Sequence, residues 1–135
     1  MGGRGASSGI YGKNNEKTYG SEYHTILQDG NIKFLERNQG RSSAPLETMT
    51  KGRIYAVIDG ENKIGSLSFY DEIGKRRIQI DIDKHEHYVN GVSLGIRHAH
   101  LGYLHDENGS RVLTKEENTL VQRVLKLWED YKNVR

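Results

Sequence analysis

The chain has 135 residues, a formal net charge of +2, a hydrophobic fraction of 34% and no cysteine. This length predicts one domain with one modest core. The small charge is no nucleic-acid footprint by itself, and the missing cysteine excludes disulfides and thiolate metal sites. No apolar run approaches the roughly 18 residues of a membrane span and the N-terminus carries no apolar signal region, so no membrane partner is expected.

Residues 1–18 read as a flexible, glycine-rich leader, because six of the first twenty residues are glycine and such a segment cannot offset its own ordering entropy by burial. Residues 19–135 form the single domain. Tyr19 to Leu27 is expected to make a short N-terminal helix capped by Ser21, with Gln28-Asp29-Gly30 ending it. Ile32 to Leu35 reads as a short strand, followed by a polar loop that contains the only proline, Pro45. Three strands then follow at Thr50–Ile58, Lys63–Tyr70 and Arg76–Asp83, separated by Asp59-Gly60-Glu61-Asn62 and by a turn at Asp71–Lys75. Their alternation gives one apolar face, carrying Ile54, Ala56, Leu67, Phe69, Ile78, Ile80 and Ile82. The other face is polar, with Tyr55, Ser66, Ser68, Arg77, Gln79, Asp81 and Asp83.

Thr114 and Glu117 have the spacing of a capping box. They open a helix that runs to about Tyr131, with Leu120, Val121, Val124, Leu125 and Trp128 in an apolar stripe. The expected fold is therefore α+β: an antiparallel β-meander of about four strands packed against a C-terminal helix, with a short N-terminal helix.

The stretch Gln79–Gly109 holds five of the six histidines, His85, His87, His98, His100 and His105, beside Asp81 and Asp83. Histidine titrates near neutrality and is the commonest neutral metal ligand. On an extended strand His98 and His100 share one side. Two chemistries fit. In the first, His98 and His100 act as acid and base in phosphodiester cleavage, with His105 and Asp81 in support and Arg77, Arg97 or Arg111 on the phosphate. In the second, His98, His100 and Asp81 hold a divalent metal with a water in the open position. No other cofactor is expected. His85 and His87 lie in a polar turn and read first as surface residues and second as ligands, while the remote His24 reads as a surface residue.

Several stretches resemble the C-terminal domains of phage and prophage minor head proteins: Tyr19-Gly20-Ser21-Glu22-Tyr23, Gly30-Asn31-Ile32-Lys33-Phe34, the run from Ala44 to Tyr55, and the run from His98 to Thr114. The leader GGRGASSG is similar to the linker that precedes such domains. The resemblance implies a toxin-like module similar to the barnase–EndoU–colicin–RelE ribonucleases, which set helix against meander and place His, Arg and Ser/Thr on the exposed sheet face. This chain differs in placing its well-marked helix after the sheet, and in carrying Arg97 where the phage domains have a proline. The expected function is a phage-encoded ribonuclease-like domain acting on RNA. The alternative is a non-enzymatic structural or host-inhibitory module that binds a phage head protein or a host protein. Either places the chain in the host bacterial cytoplasm or on the virion.

Overall fold

The computed structural model describes residues 6–7, 22–38, 43–82, 88–89, 92–93, 97–103 and 107–134, the side chains at 88–89, 92–93 and 97 excepted. The strands are β1 (Ala6–Ser7), β2 (Tyr23–Asp29), β3 (Ile32–Arg37), β4 (Glu47–Thr48), β5 (Ile54–Ile58), β6 (Ile64–Tyr70), β7 (Arg76–Ile82), β8 (Tyr88–Val89), β9 (Val92–Ser93), β10 (Arg97–Leu101) and β11 (Ser110–Val112), followed by the helix α1 (Lys115–Asn133). Seven of them form one sheet in the order β11-β10-β7-β6-β5-β3-β2. All its neighbours are antiparallel except β3 and β5.

The α+β class and the C-terminal helix match expectation, but four strands is an undercount and no N-terminal helix forms among the described residues. From Tyr23 onward the segment read as that helix is instead β2, an edge strand of the described sheet. Its pairing with β3 slips between Thr25 and Leu27. That bulge inserts Ile26 and breaks the two-residue period, so Tyr23, Ile26 and Leu27 fall at helical spacing by accident. The sheet is also not a pure meander. The parallel β3–β5 pair requires a crossover, and the chain between them carries Pro45 and β4. Within the segment read as a leader, Ala6 and Ser7 are buried and pair with Thr48 and Glu47 of β4.

One sheet face is apolar. Ile32, Phe34, Ala56, Ile58, Leu67, Ile78, Ile80 and Ala99 pack there against Val121, Val124 and Trp128 of α1. The helix starts where the sequence predicts: Thr114 accepts from the Glu117 amide and Glu117 accepts from the Thr114 amide. Trp128 is the anchor. Its ring stacks on Phe34 with centroids 5.7 Å apart, and its indole N–H donates to the Asn62 carbonyl at 2.9 Å.

The second face is covered at one end by β4 and its flanks. Tyr55 bonds Thr48 at 2.8 Å, and the Tyr70 hydroxyl donates to the Pro45 carbonyl. Gly74 lets β4 come close. At φ +85° it occupies the left-handed region, and a Cβ there would sit 2.1 Å from the Thr48 carbonyl oxygen, so only glycine fits.

Trp128→Ala is expected to cost about 3–5 kcal/mol, the usual range for emptying a large aromatic site. Gly74→Ala should also destabilise the fold, by displacing β4. Urea denaturation followed by circular dichroism measures both; a Trp128→Ala loss within experimental error would contradict the packing described.

Candidate functional site

Register decides which side chains meet. β7 runs between β6 and β10, and directly opposed residues share a face. One rung across three strands is Ser66–Asp81–His98, and the next is Ser68–Gln79–His100, extended by Ser110 on β11. The alternating rung Leu67–Ile80–Ala99 faces the helix. The polar rungs therefore bring Asp81, His98 and His100 together on the face away from α1.

The three are packed closely. One ligating atom from each of Asp81, His98 and His100 lies within 4.8 Å of the others. The imidazoles meet edge to face with centroids 4.2 Å apart. His98 is 1% exposed. His100 Nε2 lies 2.8 Å from Asp81 Oδ2, and the two side chains are 6% and 21% exposed. On its other side His100 Nδ1 is 3.2 Å from the Ser110 hydroxyl. Asp81 Oδ1 accepts from the Gln79 amide at 2.7 Å. Asp81 also borders an open cleft of about 180 Å³, whose wall includes Ser43, Asp59, Ser66 and Gln79. The carboxylate thus joins a buried imidazole pair to the surface.

Burial pushes the Asp81 carboxyl up. Hydrogen bonding with His100 and Gln79, and then the charges of the two imidazoles, outweigh burial and hold its pKa below the ordinary 3.8. Asp81 is therefore anionic at neutral pH, as a ligand or a histidine-orienting group requires.

The predicted site residues divide. Asp81, His98 and His100 come together as the spacing suggested. His105 lies outside the described residues, with Asp83, His85, His87 and the Arg97 side chain. Arg77 is exposed and Arg76 lies where it was expected. At the start of β7 the pairing slips, so that Ile78 opposes Phe69 while Arg76 opposes Tyr70. Arg77 is the extra residue of this bulge. The alternation is displaced by one position there, and Arg76 Nη1 reaches Gln79 Oε1 at 2.5 Å. Nothing in the sequence marks this bulge, because either of two adjacent arginines suits a polar position. Arg111 opposes Ala99, which puts it on the helix face. There it makes a two-pronged pair with Glu117 at 2.7 and 2.9 Å, and it serves the helix start instead of the histidines. His24 stands at the other edge of the sheet, bonded to Asn38 at 2.7 Å and 3.2 Å from Glu36.

A depressed carboxylate pKa stabilises the fold above the unfolded value, and that contribution disappears as pH falls through the folded pKa. The stability difference between wild type and Asp81→Asn should therefore be largest near pH 7 and shrink once pH drops below about 3.8, the ordinary value. Urea midpoints at pH 7 and at roughly pH 3 test the sign; a difference that grows on acidification would contradict the depressed pKa.

No family model, curated protein or solved structure matches this chain.

Proposed function

We propose that Asp81, His98 and His100 bind one divalent cation, and that the domain uses it to hydrolyse phosphodiesters, with RNA as the substrate class. The observation that carries this reading is the 4.8 Å limit on the mutual separation of the three ligating atoms, with both imidazoles buried. Two imidazole nitrogens and a carboxylate oxygen are the donor set of a zinc-type catalytic site, which keeps its fourth position for water. Tetrahedral zinc holds its ligands about 3.3 Å apart, so the wider separations, at most 4.8 Å, would close modestly while His100 Nε2 and Asp81 Oδ2, at 2.8 Å, would open slightly. A cation held by these three side chains would lower the pKa of a coordinated water toward neutrality. The chain's own part is to present the nitrogens on the buried floor and to open the Asp81 side to the cleft. Substrate entering that cleft meets Ser66 and Gln79 beside the carboxylate.

A second reading is favoured by one specific contact, the 2.8 Å approach of His100 to Asp81. A carboxylate at that distance orients an imidazole and stabilises its protonated form, so His100 could serve as a general base without metal. Imidazole centroids only 4.2 Å apart leave no space for a phosphate between an acid and a base. In this reading His100 and Asp81 act from one side, with His98 as support.

Purified protein is expected to take up one equivalent of zinc and to cleave RNA. A chelator should stop cleavage. His98→Ala, His100→Ala and Asp81→Asn should each weaken zinc uptake and lower the rate about 100-fold or more. Cleavage that survives chelation but not His100→Ala selects the metal-free reading. Absence of both cleavage and zinc uptake would sink both and leave the protein-binding module.

A further inference from the structure

The geometry points to Arg76 as a positioning residue that acts through Gln79 to fix which oxygen of Asp81 is offered at the centre. The inference takes its consequence for metal from the reading above, although the contacts that carry it do not depend on that reading.

Arg76 is 7% exposed. A guanidinium that deeply buried is normally paired with a carboxylate, because its desolvation is costly. Among the described residues Arg76 has no such pair. Nη1 donates to Gln79 Oε1 at 2.5 Å and Nη2 to the Tyr103 carbonyl at 3.1 Å, both neutral acceptors. Its Nε is buried with no hydrogen-bond partner. For these two hydrogen bonds alone a neutral donor would serve as well as a cation; the nearby charge that favours a cation is the Asp81 carboxylate.

What a guanidinium does that a neutral group does not is remove a choice. Arginine only donates. Beside it, Gln79 must present its oxygen, and its amide N–H must therefore point the other way, to Asp81 Oδ1 at 2.7 Å. The opposite amide orientation would set N–H against guanidinium and carbonyl against carboxylate, with repulsion at both ends. Gln79 is thus locked as a donor to Oδ1, and Oδ2 is left facing His100. Asp81 thus offers a single oxygen on the histidine side, as one point of a three-ligand centre should. The guanidinium is itself held from outside the cluster. Its backbone amide donates to the Leu46 carbonyl at 2.8 Å. Tyr103, whose carbonyl it binds, donates its hydroxyl to Glu47. The bulge in β7 is what puts Arg76 at the end of this chain of contacts.

The test is a double-mutant cycle on Arg76→Met and Gln79→Met, read by zinc affinity and by the ring-nitrogen NMR resonances of His100 in metal-free protein. Partners that orient a metal ligand typically contribute 10- to 100-fold to affinity. Each single variant is expected to weaken zinc binding by about that factor. The double variant should be only slightly weaker than Gln79→Met alone, because Arg76 reaches Asp81 chiefly through Gln79 and its charge acts directly on the carboxylate only in addition. The His100 signals should shift the same way in both single variants. Losses that multiply in the double variant, or an Arg76→Met protein with wild-type affinity and His100 signals, would overturn the inference. If wild-type protein takes up no zinc, the metal reading fails and the NMR arm still decides the relay: a common shift supports it, and unchanged His100 signals reject it.

Discussion

The pairing of β7 with β10 is the constraint on which the site depends. It sets Asp81 opposite His98 and Gln79 opposite His100, and a slip of one residue would turn both histidines toward the helix. What prevents the slip is the other side of the same two strands. Ile78, Ile80, Ala99 and Leu101 belong to the core beneath α1. The hydrophobic effect on one face therefore specifies the chemistry on the other. The polar residues contribute little to choosing the register and receive their geometry from it.

The histidine face carries the opposite problem, because a carboxylate, two imidazoles and a guanidinium lose water there. Burial of this kind is tolerated only where hydrogen bonds replace hydration. Here the replacements form a line across the sheet, from Ser110 through His100, Asp81 and Gln79 to Arg76. The line continues through Tyr103 to Glu47 on β4. The crossover demanded by the parallel β3–β5 pair thus has a second role. It brings a short strand and its acceptors over one end of the polar face, where tyrosine hydroxyls and Arg76 need partners. Gly74 permits the close approach of that crossover. Topology, burial and site polarity are linked at this point.

Expectation and structure agree where one local pattern sufficed. The helix start at Thr114 follows from side chains three residues apart, and its buried stripe follows from 3.6-residue spacing. The three central strands follow from alternation over one apolar face through most of their length. They diverge where the pattern is broken by a bulge. In β2 the inserted Ile26 imitates a helical spacing, and in β7 the inserted Arg77 exchanges two neighbouring arginines. A bulge costs the sequence nothing recognisable, because it is defined by the partner strand. Arg111 shows the same limit, since only its pairing with Ala99 reveals that it faces Glu117.

By itself the sequence determined the α+β class, the C-terminal helix with its cap, and the candidacy of His98 and His100. Each of these rests on contacts between residues close along the chain. The tertiary structure decided the seven-stranded order, the register that sets the already named Asp81 against the imidazoles, and the place of Arg76 behind it. Those depend on strand register and on two bulges, which are properties of pairs of strands and are written in neither strand alone.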